Sequence, residues 1–382
     1  MSLAVVIPLY NHERFIGEAL RSVLAQTHRV DRIVIVDDGS TDGSVAVVEQ
    51  FEDERIHLFT QANAGAHHAI NRGIEFAARD CKFIAILNSD DVFVETRLEK
   101  CVQFLEANPR LDLVCTRLRM IDDCSAALEH DNPKARWLDR VWQARRESLP
   151  EWLGVANFAK TSSNFVARAE YLRAHPFRAY RYVHDYFLML DAALHLKLGV
   201  LDEELILYRT HPKNTIKSGP LENVTREVLS LNIDLLRDLA PELASSETIR
   251  AEYTRYFRVL VQNHADFRAE VFVQVIAQLI DAQSDAALGS LIQSLTGEHF
   301  PELNASKSEV LKHEHAEADY QAMLQRIVGS RWFALGCIMG VAPDVWYAAP
   351  TPDKRLAMLK KGWEGSGWVR LGRRFGFVPA GV

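Results

Sequence analysis

Through residues 1–210, short uncharged apolar runs alternate with longer stretches whose apolar positions recur every three or four residues. The first kind of run predicts strands buried on both faces of a sheet, and the second predicts amphipathic helices packed on it. Residues 3–8 (LAVVIP) predict a first strand, and residues 13–26 a helix with Phe15, Ile16, Ala19, Leu20, Val23 and Leu24 on one broad face. Residues 32–36 (RIVIV) predict a second strand, ending at Asp37-Asp38-Gly39-Ser40-Thr41-Asp42, where Thr41 or Asp42 can cap the next helix. A short third strand falls at 56–59, and the loop Asn63-Ala64-Gly65 leads into a helix with Ala69, Ile70, Gly73 and Ile74 inward. Residues 83–87 (FIAIL) predict the fourth strand, which stops abruptly at Asn88-Ser89-Asp90-Asp91. A helix over 97–106 ends at Asn108-Pro109. Strands follow at 113–120, 163–167 and 200–207, with an apolar helix over 186–198; the Trp-bearing stretch 131–151 fits neither pattern clearly.

This alternation predicts an α/β fold, a mostly parallel sheet with helices on both faces. The turn after the first strand is Pro8-Leu9-Tyr10-Asn11-His12. It holds no GxGxxG, so the dinucleotide-binding version of such a sheet is excluded. After Pro220 the pattern turns helical, over 222–240, 247–264, 270–282, 286–295 and 307–328. The expected division is an α/β domain over 1–218, a helical region over 219–329 and a tail over 330–382.

Composition sets limits on this picture. A chain of 382 residues exceeds one typical domain, and 48% hydrophobic with 25% charged residues describes a soluble globular protein with ample core. A net charge of −7 gives a nucleic-acid role no support. The cysteines are Cys81, Cys101, Cys115, Cys124 and Cys337, with no CxxC pair, which predicts reduced thiols rather than a zinc site or disulfide framework. No basic, then apolar leader precedes the first strand, and no run of about 18 uncharged apolar residues occurs, so a cytoplasmic protein is expected. The tail is an exception to the average. Residues 330–382 hold eight Lys/Arg against three Asp/Glu, a local +5, and four of the seven Trp. Arg beside Trp and Phe fits peripheral contact with an anionic membrane surface; packing of a basic tail on an acidic domain is the other reading.

Candidate chemistry gathers at the expected strand ends. Ligands of open α/β sheets bind beyond the carboxyl ends of the strands. The adjacent carboxylates Asp90 and Asp91 would repel there unless a divalent cation with oxygen ligands offset them, or unless Asp91 merely caps a helix starting near Glu95. Asp37-Asp38, Asn63 with Gly65, His184-Asp185 and Arg209 with His211 can converge on the same edge.

The segments VVIPLYNHERFIGEALRSVLAQTH, IVIVDDGSTDGS, NAGAHHAINRGI, ILNSDD, VHD and YRTHPKNT, in this order, resemble the GT-A-fold, inverting glycosyltransferases of family two, over roughly the first 215 residues. The resemblance implies a nucleotide-sugar donor (UDP in many members), a saccharide or lipid-linked acceptor, Mn²⁺ or Mg²⁺, and surface-polysaccharide or glycolipid assembly at the inner face of a membrane. It implies that Pro8 and Tyr10 wall the nucleotide pocket with Asn11 in the same turn, that Asp37 and Asp38 accept from the base, and that Asn63 and Gly65 bring backbone close to the nucleotide. It assigns Asp91 to the metal, Asp90 and Asn88 to sugar or ribose, Asp185 to the catalytic base, His211 to the metal or diphosphate, and Arg209 to the phosphates or the acceptor loop. Three positions depart from the family: Asn88 where Asp is common, Ile70 where Arg often precedes Asn71, and His184 where Glu is common. Two other readings stand beside it. One is a relative that binds nucleotide-sugar or glycan without turnover; the other, a nucleotidyltransferase, lacks a Gly-rich basic loop after the first strand.

Overall fold

A computed structural model describes residues 2–129, 131–212, 214–215 and 221–263. The chain divides into two compact units, Met1–Leu235 and Leu236–Val382.

The first unit is built on an eight-stranded sheet. Its strands are β1 (Leu3–Leu9), β2 (Arg32–Asp37), β3 (Ile56–Thr60), β4 (Phe83–Ile86), β5 (Val92–Phe93), β6 (Leu113–Ile121), β7 (Val166–Arg168) and β8 (Leu198–Arg209), in the order β3-β2-β1-β4-β7-β6-β8-β5. Four pairings are parallel (β1 with β2 and β4, β2 with β3, β6 with β8), and the other three, β4–β7, β6–β7 and β5–β8, are antiparallel. The sheet is therefore mixed, parallel at its β1–β4 core. β1 and β4 are buried along their whole length, as their unbroken apolar runs require. Pro8 is tolerated inside β1 for a specific reason. Val6 accepts from the Leu87 N–H on one side and Leu9 from the Asp38 N–H on the other, so alternate residues face β4 and β2. Pro8 has the parity of Val6, yet pairing with β4 ends at Val6–Ile86, so its missing N–H leaves no ladder bond unmade.

The helices of this unit are α1 (Ile16–Leu24), α2 (Ser44–Val48), α3 (Ala66–Ala77), α4 (Arg97–Ala107), α5 (Pro133–Gln143), α6 (Leu149–Val155), α7 (Ala169–Ala174) and α8 (His184–Leu194). The helix α9 (Leu221–Ser245) follows and contains the division between the units. α3 buries Ala69, Ile70, Gly73, Ile74 and Ala77, the face expected of it. Gly73 permits that approach, since a Cβ there would lie 2.4 Å from Val6 Cγ1. The unassigned stretch forms α5 and α6, each with a capping side chain and a proline in its first turn: Asn132 accepts from the Lys134 N–H, and Ser148 from the Glu151 N–H. They close over an aromatic cluster in which Trp152 stacks on Phe158 with centroids 3.9 Å apart and meets Trp142 edge-on at 4.9 Å. In place of the expected strand at 163–167, Val166–Arg168 forms β7 and Ser162–Asn164 a 3-10 turn.

In the second unit the end of α9 and α10 (Glu247–Asn263) are described, with Leu236, Leu239, Leu243, Tyr253, Tyr256 and Leu260 buried. The three later helices and the basic tail expected from the sequence lie outside the described residues. Among the described residues no helix is long and apolar enough to cross a membrane.

Candidate active site

The site is assembled by a two-stranded pairing. β5 runs antiparallel to the end of β8, with Val92 opposite Leu207 and Phe93 opposite Ile206. This carries Arg209, Thr210 and His211 to the turn Asn88-Ser89-Asp90-Asp91, over a hundred residues away in sequence. His211 Nε2 lies 3.0 Å from Asp90 Oδ2, and the Asn214 amide donates to the same oxygen at 3.3 Å. From the turn after β1, His12 adds its ring edge-on to that of His211 at 5.6 Å, with its Nδ1 2.8 Å from Ser89 Oγ. His12, Asp90 and His211 each present a ligand-type atom within 4.8 Å of the other two. Two imidazoles and a carboxylate at that spacing fit a divalent cation, and such a mixed nitrogen and oxygen set suits Mn²⁺ better than Mg²⁺. His12 has no marker in the sequence beyond its place in the first matched segment.

The carboxylate beside His211 is thus that of Asp90, whereas the sequence pointed to Asp91 for the metal. Asp91 is 1% exposed and its oxygens are already engaged. Its Oδ2 accepts from Ser163 Oγ at 2.6 Å and Thr161 Oγ1 at 3.2 Å, and its Oδ1 from the Arg209 N–H at 2.9 Å. It does not cap a helix, because β5 intervenes and α4 begins after Thr96. Burial, and then the charge of Asp90, push Asp91 up to about 8. Burial also opposes the charge of Asp90, but the His211 hydrogen bond and the His12 and His211 rings outweigh it and hold Asp90 below the ordinary carboxylate value. Near neutral pH the pair therefore keeps its charge on Asp90. Nothing in the sequence marks Thr161 and Ser163 as partners of Asp91; Ser163 is instead expected to open a strand. Arg97, buried in α4, fixes this turn from below by donating to the Ser163 carbonyl at 3.2 Å.

Other expected site residues divide into framework and free groups. The Arg209 guanidinium, expected to reach phosphates, is 1% exposed and turned inward. It donates to the Asp90 carbonyl at 2.8 Å, the Asp122 carbonyl at 3.1 Å and Ser125 Oγ at 2.9 Å, and it pairs with Glu18 at 2.6 Å. Asn88 is likewise occupied, donating to Thr161 Oγ1 and accepting from Ser162 Oγ, each at 2.9 Å. Asn11, at φ 53°, accepts from the Thr41 N–H at 2.7 Å and ties the β1 turn to the β2 turn. Asp38 accepts from the N–H groups of Ala64 (2.9 Å) and Gly65 (2.8 Å), which moors the Asn63 loop. Gly65 there has φ 95°, a conformation few other residues adopt. Asp37, by contrast, is buried, and among the described residues its carboxylate accepts only long bonds of 3.2 and 3.3 Å from the Ser40 N–H. Neither acid caps α2; Asp42 supplies the carboxylate for the Ser44 N–H. Tyr10 stands 47% exposed at the end of β1, and Asn63 is also exposed.

Asp185 sits in the first turn of α8, buried, its Oδ1 accepting from the Tyr186 N–H at 2.7 Å. Burial raises its pKa above the ordinary carboxylate value, opposed by the charge of His184 and by hydrogen bonds that include one from Asn157. The turn before α8 is itself pinned, because Glu227 of α9 accepts from the Arg181 and Tyr182 N–H groups at 2.8 and 2.6 Å.

Polar groups gathered beyond the carboxyl ends of β1, β2 and β4 place a candidate ligand site at that edge of an α/β sheet. Residues 4–173 match the model of Glycosyl transferase family 2. An uncharacterized glycosyltransferase of Nostoc sp. (strain PCC 7120) is 37% identical over 134 residues, 33% of this chain and 41% of its own. A putative teichuronic acid biosynthesis glycosyltransferase of Bacillus subtilis is 39% identical over 106 residues, 27% of this chain and 41% of its own. The match thus spans about two fifths of either relative. The crystal structure of S. aureus TarS 1-349 superposes with a TM-score of 0.49 at 21% identity, covering 77% of this chain and 81% of that one.

Proposed function

We propose that this chain is an inverting glycosyltransferase moving a sugar from a nucleotide-diphosphate donor, UDP-linked, to a hydroxyl acceptor. The observation that carries the reading is the His12–Asp90–His211 cluster at the carboxyl edge of a family-two sheet. Tyr10 offers an exposed ring for a base, and Asp37 retains acceptor capacity for a base N–H. His12, Asp90 and His211 would hold the divalent cation, whose bound charge offsets that of the donor diphosphate as it leaves. Asp91, Asn88, Arg209 and Asn11 hold the loops in register rather than touch the donor.

Asp185 takes the proton of the acceptor hydroxyl. That oxygen forms the new bond to the anomeric carbon as the bond to the diphosphate oxygen breaks, and the nucleotide leaves with the electron pair. A single displacement of this kind inverts the anomeric configuration. Desolvation suits Asp185 to the task, since a base whose pKa is raised holds the transferred proton better near neutral pH. The name of the Bacillus subtilis relative supports a place in surface-polysaccharide assembly. Turnover of a nucleotide-sugar panel against saccharide acceptors, with Mn²⁺, with Mg²⁺ and with chelator, tests the reading. Product from a UDP-sugar that disappears with chelation is expected. Donor binding with no transfer or donor hydrolysis on any panel would favour the non-catalytic alternative.

A further inference from the structure

The α5–α6 segment lies outside the donor residues named above and carries three features in one place. Trp137, on α5, is 39% exposed although large and apolar. Lys160, after α6, adopts φ 62°, in the left-handed region where a side chain of its kind is strained. Its Nζ lies 4.4 Å from the Trp137 ring centroid and 5.8 Å from that of Tyr208, and it makes no hydrogen bond or ion pair among the described residues. Asn157 ties this lysine to the proposed base: its Oδ1 accepts from the Lys160 N–H at 2.8 Å, and its side chain also hydrogen-bonds Asp185. Lys134, on α5, adds a second positive charge close by, donating to Thr210 Oγ1 at 2.9 Å.

A strained backbone that holds an ammonium with no hydrogen bond or ion pair among the described residues, beside an exposed indole and near the proposed base, has the form of a ligand subsite. We infer that Trp137 and Lys160 form the acceptor subsite, and that the acceptor is a saccharide with an anionic substituent, phosphate or carboxylate. The indole takes the apolar face of the sugar ring, and the ammonium takes the anionic group by a charge-assisted hydrogen bond. Burial lowers the Lys160 pKa, and the nearby charge of Asp185 counters this, so the anion also restores a counter-charge. The inference rests on the proposed glycosyl transfer for the word acceptor, but its binding test stands alone.

Ligand-observed NMR on the full chain, without nucleotide, would compare glucose 6-phosphate, glucuronate and glucose as probes. The two anions should bind about tenfold more tightly than glucose. Lys160→Asn, which removes the charge but tolerates a left-handed backbone, should abolish that preference, and Lys160→Arg should keep it. Trp137→Ala should weaken all three sugars alike. UDP affinity with Mn²⁺, measured in parallel by calorimetry, should be the same in every variant. Equal binding of the three sugars, no sugar binding at all, or an anion preference that survives Lys160→Asn would overturn the subsite. So would a fall in UDP affinity in Lys160→Asn, which would assign the lysine to the donor diphosphate. Failure of the wild-type chain to bind UDP with Mn²⁺ would instead count against the donor reading and leave the sugar comparison standing.

Discussion

At the scale of single residues, the proposed function gives Asp185 the chemistry and Asp90 the charge. Asp185→Asn keeps the shape and the bond from the Tyr186 N–H but removes the proton acceptor. Turnover should fall by about 10²–10⁴ while UDP affinity holds, as steady-state kinetics and calorimetry would show. The pH profile has a definite sign. Asp185 must be ionised to act, and its pKa is raised, so kcat/KM should fall as pH drops through a value above the ordinary carboxylate range. An acid limb within that ordinary range would assign the base elsewhere. Asp37, Asp90, Asp185 and His211 all lie in segments that carry the resemblance, and the structure brings Asp90 and His211 together. Which of two adjacent carboxylates faces the site was not legible. That depends on Thr161 and Ser163, which capture Asp91 from a loop seventy residues on. Arg209 misled for a related reason. A guanidinium near a phosphate site and one clamped between two turns look identical in sequence.

At the scale of elements, the first half of the sheet follows directly from its apolar runs, because parallel strands buried on both faces leave no polar alternation to misread. The helices α5 and α6 were harder. Their start signals, Asn132-Pro133 and Ser148-Leu149-Pro150, were present, but α6 spans only seven residues, too few to show a helical period. The register of β5 against β8 was invisible, since a two-residue strand has no pattern of its own. Packing of α3 gives a test at this scale. Gly73→Ala places a methyl 2.4 Å from Val6 Cγ1. Overpacking should cost about 1–3 kcal/mol, read as a lower Tm, and should loosen the Asn63–Gly65 loop that precedes α3. An unchanged Tm would mean that α3 sits further from β1 than described.

At the scale of the whole molecule, charge is unevenly spread: residues 330–382 sum to +5, leaving −12 (−7 minus +5) for the rest. An enzyme serving a lipid-linked acceptor gains by concentrating at an anionic surface, where each basic residue contributes about 1 kcal/mol. The full chain should therefore co-sediment with anionic liposomes at low salt and less so at high salt, whereas a chain ending at Gly329 should not. Equal sedimentation of the two would remove the tail from any membrane role. Calorimetry of UDP with Mn²⁺ on the wild-type, Asp90→Ala and Asp91→Ala proteins, each with its Tm, tests the proposal that Asp90 with His12 and His211 holds the cation serving a nucleotide diphosphate. Asp90→Ala should lose the metal-dependent part of the UDP affinity at a smaller cost in stability than Asp91→Ala, since two donors, His211 and Asn214, lose an acceptor there. Asp91→Ala should lose about 3 kcal/mol of stability, as three buried donors lose their acceptor. Metal-dependent UDP binding that survives Asp90→Ala and vanishes in a stably folded Asp91→Ala protein would contradict it.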